Sequence, residues 1–261
     1  MPEAATTPVP LDLTGLRVAI TAGAGGIGRI MADSFAFCGA SPFVSDVDER
    51  ALADCGHPGM RADATRLEDL ERFMDEAQRT LGGLDVLVNN AGIAGPTKRV
   101  EEVTPAELDQ VLQANLASMF HCARRAVPML REAGGGSIVN LSSAAGKFGF
   151  PLRSPYSAAK WGVVGFTRTL AMELGPDRIR VNAILPGLVD GPRIRSVLRN
   201  KAQAKGISDN EETQSALERV NLRCFVGQQD IANMALYLCS PFGATISGQA
   251  ISVDGGMEGL H

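Results

Sequence analysis

The chain has 261 residues, 25 Lys+Arg against 29 Asp+Glu for a formal net charge of −4, and 45% hydrophobic but 5% aromatic residues, an ordinary globular composition. A mildly acidic chain sets up no field that gathers phosphodiester backbones or anionic lipid, so nucleic acid and membrane are excluded as partners. The length suits one α/β domain.

In chain order, residues 1–12 (MPEAATTPVPLD) form neither a basic nor an apolar export signal and read as a Pro-rich flexible arm, followed by one domain over 13–261. Apolar runs predict strands at Leu16–Thr21, Pro42–Asp46, Gly59–Ala62, Leu84–Asn89, Ser137–Leu141, Arg180–Leu185 and Gln249–Val253. Helical patterns lie between them, near 26–38, 66–81, 104–132, 155–174, 192–219 and 228–239. The helix near 104 opens on Thr104-Pro105-Ala106-Glu107, with a hydroxyl at the N-cap, Pro at N1 and Glu at N3. Strands that are apolar throughout and alternate with helices predict a Rossmann-like, doubly wound α/β fold of about seven parallel strands with helices on both faces. Such a sheet carries its ligand at the carboxyl ends of its strands. The charge-free stretch from Ile231 to Val253 contains Pro241, Gly243 and Gly248, so it reads as helix, turn and strand rather than a membrane span. Five scattered cysteines and three scattered histidines show no metal-ligand spacing; no metal is expected, and reduced thiols indicate a cytoplasmic protein.

The first strand runs into Thr21-Ala22-Gly23-Ala24-Gly25-Gly26-Ile27-Gly28 and then a helix. Glycines at such a junction let the backbone turn sharply and approach a pyrophosphate, whose charge rests on the N–H groups of the helix start. Asp46 ends the second strand, where a carboxylate accepts hydrogen bonds from an adenosine ribose and repels a 2′-phosphate. Ala24, Gly25 and Val47 offer no cation to such a phosphate, which points to NAD. Asn89-Asn90-Ala91-Gly92 follows the fourth strand on the same edge.

Ser142 and Ser143 follow the fifth strand. Tyr156 and Lys160 then share one face of the next helix at i and i+4. A tyrosine of ordinary pKa, about 10, is scarcely ionised at pH 7. A cation about 4 Å away at an effective dielectric near 20 contributes about 4 kcal/mol, the size of change needed to make it a base.

Together these motifs resemble the short-chain dehydrogenase/reductase family over about residues 14 to 257. The glycine pattern is Thr21 to Gly28, with Ala22 at the first glycine. The NNAG is Asn89 to Gly92, and the Asp after the third strand is Asp63, followed by Ala64. The helix asparagine is Asn115, the serine is Ser143, and Tyr156 and Lys160 complete the set. Pro186-Gly187 and Val253-Asp254-Gly255-Gly256 match the later signatures; at the usual nicotinamide-contacting Thr stands Gly191, leaving Leu188 and Val189 backbone to hold the amide.

The resemblance implies reversible hydride transfer between NAD and a secondary alcohol or ketone, with Tyr156 as base, Ser143 on the substrate oxygen, Lys160 on the nicotinamide ribose and Asn115 positioning a water. It also implies a homo-oligomer, a tetramer, to which the apolar region from Ile231 onward would contribute. A substrate lid would span about Asp190 to Val226. Arg193 or Arg195 could there face an anionic substrate, with Lys147 and Arg153 on the other wall; the alternative is that the lid's basic and acidic halves pair with each other. Other readings are a 3-oxoacyl-thioester reductase, a non-catalytic dinucleotide sensor, and an epimerase or dehydratase of the extended branch.

Overall fold

A computed structural model describes residues 11–260. Most of the predicted arm, residues 1–10, lies outside the described residues. Leu11, in the predicted arm, packs against the core, and Leu13, the first residue of the predicted domain, is buried.

Seven parallel strands form one sheet: β1 (Arg17–Ile20), β2 (Ser41–Asp46), β3 (Gly59–Arg61), β4 (Val86–Asn89), β5 (Gly136–Leu141), β6 (Ile179–Pro186) and β7 (Ala250–Val253), in the order β3-β2-β1-β4-β5-β6-β7. This is the doubly wound architecture expected from the sequence. Between the strands run α1 (Gly26–Phe37), α2 (Glu49–Asp54), α3 (Leu67–Leu81), α4 (Pro105–Leu112), α5 (Ser118–Glu132), α6 (Ser154–Leu174), α7 (Pro192–Lys205), α8 (Asp209–Leu217) and α9 (Gln228–Cys239).

The period-2 pleat sends alternate residues into two cores. Val18, Ile20, Val86 and Val88 meet Met31 and Phe35 of α1 and Ile231 and Ala235 of α9 on one face. Ala19, Leu87, Ile138 and Val181 meet Phe73 and Met74 of α3 and Cys122 and Leu130 of α5 on the other. Both faces are therefore apolar, which is why the strands read as continuous apolar runs.

Three helical regions differ from the sequence reading. The unpredicted α2 is short but capped: Asp48 Oδ1 accepts from the backbone N–H of Arg50 and Ala51 at 2.9 and 3.1 Å. The single helix expected over 192–219 is two, because Gly206 turns the chain at φ 68° and Ser208 starts α8 with a capping box to Glu211. The helix expected over 104–132 is interrupted by one π-turn, Gln113–Ala117. The apolar stretch from Ile231 is chiefly internal core, and only Tyr237 and Phe242 of its large side chains are exposed. No helix among the described residues is long and apolar enough to cross a membrane.

Strand order reverses between β1 and β4, so the loops leaving these two strands diverge and open a crevice at their carboxyl ends. The two motif loops, 21–28 and 89–92, are the ones that rim it.

Candidate active site

The two loops are stitched together. Thr21 Oγ1 accepts from the N–H groups of Asn90 and Ala91, both at 3.0 Å, and Asn90 Nδ2 donates to the carbonyls of Thr21 and Ala22 at 3.1 and 2.9 Å. Ala22 adopts a left-handed φ of 50°. The turn made by glycine in the family pattern is thus retained here by alanine, at a strain of roughly 1 kcal/mol. A Cβ on Gly28 would lie 2.1 Å from the Ala22 carbonyl oxygen, so only glycine lets α1 approach the loop this closely. Gly25 and Gly26, by contrast, face open space, and the N-cap at Gly25 supplies no side-chain acceptor to the first N–H groups of α1. An open cradle of backbone donors, including those near Ile27, at a helix start fits the pyrophosphate of a dinucleotide. Gly23 is pinned to β2 through its N–H on Ser45 O at 2.8 Å.

Asp46 sits at the end of β2 with Oδ2 accepting from Ala24 N at 3.3 Å. Arg29, the nearest cation on α1, is committed elsewhere: its guanidinium bonds Asp33 at 2.9 Å and the Asp54 carbonyl at 3.1 Å. Asp63 turns its carboxylate onto Thr65 in the loop after β3, at 2.7 and 2.8 Å, and its own N–H donates to the buried Asp69. Ala64 follows in that loop. Gly187, after Pro186, is held to Val253 O at 3.0 Å, and Val189 pairs with Val226, closing the base of the insert.

At the carboxyl end of β5 the two serines separate. Ser142 is buried, and its hydroxyl donates to the Lys160 carbonyl at 2.8 Å. Ser143 is only partly buried and its Oγ accepts from Ala145 N at 3.1 Å, which leaves its own proton available. Tyr156 and Lys160 come from the first turns of α6. The Lys160 ammonium lies 5.7 Å from the Tyr156 ring centroid and donates to Leu141 O at 2.7 Å. Burial, with a smaller contribution from the Arg193 charge, lowers the Lys160 pKa to about 7.

Asn115 lies in the π-turn. Its Nδ2 donates to Val111 O, one turn back, at 2.9 Å and to Ile93 O at 3.1 Å; a side chain bonding the i−4 carbonyl competes with the helical ladder and accounts for the bulge. Asn115 Oδ1 is buried with no partner. A Cβ on Gly92 would meet that oxygen at 2.5 Å and Lys160 Nζ at 3.6 Å, so the free acceptor and the ammonium close on the same glycine.

Of the two arginines expected at the substrate, Arg193 reaches from α7 to the Gly92 carbonyl at 2.6 Å. Arg195 does not face the site: its side chain is 69% exposed and paired with Asp190, because it sits on the outer side of α7. Lys147 is likewise exposed, over Phe148. The remaining cations of the insert's first half pair with acids of its second half as the alternative reading expects, Arg199 with Asp209 and both Lys201 and Lys205 with Glu212.

Several contributors escaped the sequence reading. Asn89 donates to Asn140 Oδ1 at 2.8 Å and Asn140 to Thr167 Oγ1 at 2.9 Å, a buried polar ladder that sets α6 against the sheet. Strand-end asparagines were legible, but their pairing is a matter of register. Arg153, by contrast, was expected on the other wall of the substrate site; it is 2% exposed and flanks Tyr156.

Comparison with known proteins agrees with this geometry. A family model described as enoyl-(acyl carrier protein) reductase matches residues 22–258. D-β-hydroxybutyrate dehydrogenase of Rhizobium meliloti is 32% identical over 252 residues, covering 91% of this chain and 96% of that one. Among solved structures, NAD+-bound xylitol dehydrogenase superposes with a TM-score of 0.89 at 25% identity, covering 93% of this chain and 99% of that one. An actinorhodin polyketide ketoreductase variant with NADPH gives 0.86 at 32% identity, covering 92% and 97%.

Proposed function

The chain belongs to the short-chain dehydrogenase/reductase family, and from that premise we propose an NAD-dependent oxidoreductase that moves a hydride reversibly between the dinucleotide and a secondary alcohol or its ketone. The observation that carries the reading is the convergence of Ser143, Tyr156, Lys160 and Asn115 beside an open glycine cradle at one sheet edge. The dinucleotide, when bound, supplies the hydride acceptor or donor. Thr21, Gly23, Gly25, Gly26, Ile27 and Gly28 hold its phosphates. Asp46, Asp63, Ala64, Asn90, Ala91 and Gly92 line the adenosine-to-ribose side, and Pro186, Gly187 and Val189 the nicotinamide side.

Tyr156 takes the hydroxyl proton as general base, and Ser143 donates to the substrate oxygen, where charge builds during the reaction. Lys160 holds positive charge beside the phenol and binds the cofactor ribose. The free Asn115 Oδ1 holds a water through which the proton leaves toward solvent. The insert from Asp190 to Val226 covers the substrate. A panel of secondary alcohols assayed by nicotinamide absorbance tests the reading, and no turnover with either dinucleotide would overturn it.

Preference for NAD rests on Asp46 and on Arg29 being held by Asp33. Replacing Asp46 with Ser and the exposed Val47 with Arg should shift kcat/KM toward NADP at least tenfold, by removing a repulsion and adding a phosphate partner. Better use of NADP by the unmodified protein would refute the assignment. A 3-oxoacyl-thioester reductase is the second reading, favoured by likeness to the 3-oxoacyl-[acyl-carrier-protein] reductase of Thermotoga maritima, 33% identical over 256 residues; the thioester assayed with NADPH decides between them.

The protein is also read as a cytoplasmic homo-oligomer, with a tetramer as the expected state. Support comes from surface apolar side chains on α4, α5 and α6: Leu108, Trp161 and Phe120, the last stacked on Phe166. Sedimentation at micromolar concentration should give a multiple of 27.5 kDa, and Phe120→Lys should lower the assembly state. A monomer mass for the unmodified protein would remove this proposal.

A further inference from the structure

We propose that Arg153 anchors a carboxylate-binding subsite beside Tyr156, so that the substrate is a short hydroxy acid or the corresponding oxo acid; this rests on the reading of Tyr156 as the proton acceptor. The guanidinium is the unusual feature. Arg153 is 2% exposed, and its Nη2 donates to the Ala94 carbonyl, while Nε and Nη1 are buried without a partner. The rings of Phe150 and Tyr156 flank it at 5.2 and 5.1 Å, which attracts the cation but does not neutralise it. A buried cation without a counter-charge is strongly unfavourable. It is retained where a bound group completes it.

A second cation over Phe150 gives a contrast. Lys201 also faces Phe150, at 5.2 Å, yet it has Glu212 at 3.3 Å. Arg153 and Lys160 both lie against the Tyr156 ring and Arg193 is near enough for its charge to act on both, yet none of the three makes an ion pair among the described residues. The backbone supports the arrangement. Leu152 holds a left-handed φ of 64° and its carbonyl accepts from Lys98 N at 2.9 Å, which turns the following arginine inward. Strain of this kind in a bulky residue collects at ligand sites.

The anion this subsite takes is not the dinucleotide pyrophosphate, whose donors lie at the start of α1. It must sit within a few carbons of the oxygen that Tyr156 serves, because arginine and tyrosine are stacked. A carboxylate meets that requirement and matches the planar donors of a guanidinium. A 3-oxoacyl thioester carries no charge there, so a buried Arg153 also argues against the second reading above. A small, mostly apolar cavity walled by Phe150, Leu188, Ile194, Leu198 and Met257 shares Phe150 with the subsite.

The test uses the full chain with NAD. Hydroxy acids of about four to six carbons, hydroxylated at different carbons, are compared with their methyl esters, and butyrate binding to the NAD complex is followed by calorimetry. The best acid should exceed its ester in kcat/KM by at least about tenfold, the order expected of a charged hydrogen bond. Arg153→Met should remove that advantage through KM, leave the ester within about threefold, abolish butyrate binding and leave dinucleotide affinity unchanged. Arg153→Lys should recover part of it, whereas Arg199→Met, a lid cation paired with Asp209, should do nothing. Equal losses on acid and ester, a displaced pH profile on the ester, or no butyrate binding by the unmodified protein would each overturn the subsite. Should Arg153→Met fail to fold, the binding and acid-to-ester measurements on the unmodified protein still decide. If butyrate binds through Arg153 but no alcohol of either kind is oxidised, the subsite stands and the reading of Tyr156 fails; turnover of neutral alcohols without acid preference gives the reverse.

Discussion

Replacing Tyr156 with phenylalanine is expected to lower turnover by at least about 10²–10⁴-fold while leaving dinucleotide affinity and stability close to those of the unmodified protein. The ring sits half-buried among Ala144, Ala145, Leu188 and Phe150, packing that the phenylalanine ring preserves. Only the hydroxyl is removed, and with it the group that accepts the substrate proton. Ser143 keeps its bond from Ala145 N and Lys160 keeps Leu141 O, so the surrounding geometry has no reason to move. The measurements are steady-state kinetics with the best alcohol found and dinucleotide binding by fluorescence. A variant retaining more than a tenth of the activity would show that another group takes the proton.

Lys160→Met should separate activity from stability. The ammonium is enclosed by the protein, and burial brings its pKa down from 10.5 to about 7. Between those two values the unfolded chain holds one more proton than the folded protein, so unfolding takes up a proton and stability rises with pH. The slope contributed is at most about 1.4 kcal/mol per pH unit. Below pH 7 both states are protonated and the full penalty of the buried charge is present. Methionine removes the penalty and the slope together, while leaving the Leu141 carbonyl without its donor. The stability of the variant relative to the unmodified protein should therefore be most favourable near pH 6 and decline steadily toward pH 10. Turnover should fall by about 10²-fold or more, because the cation beside Tyr156 is lost. Denaturant melts across this range provide the check, and a difference that does not vary with pH would show that Lys160 titrates near its ordinary value.

Both predictions draw on residues that could be picked out before any fold was known, and the reason is local. Tyr156 and Lys160 are one helical turn apart, so their shared face follows from helix geometry alone. The glycine loop follows from its place between an apolar strand and a helix. The seven strands were each recoverable to within one or two residues, most readily β1 and β4 at the centre, where both faces of the sheet are buried and the strands are almost wholly apolar. The capping box at Thr104 and Glu107 was equally local, and it forms as expected.

What the chain order could not determine is which polar groups meet across long sequence distances, and with what left over. Arg153 reads, with Lys147, as a cation on the other wall of the substrate site; only the fold leaves Lys147 exposed, encloses Arg153 between Phe150 and Tyr156 and leaves two of its nitrogens unmet. Arg193 and Arg195 are two residues apart and chemically identical, yet the rotation of α7 sends one to Gly92 and the other out to Asp190. The ladder from Asn89 through Asn140 to Thr167 depends on the β4–β5 register and on where α6 lies on the sheet. The π-turn at Asn115 arises because its amide finds Ile93 as well as Val111. Periodicity and turn chemistry act over a few residues and so are written in the sequence, whereas burial and the pairing of charges depend on which distant segments the packed core brings together.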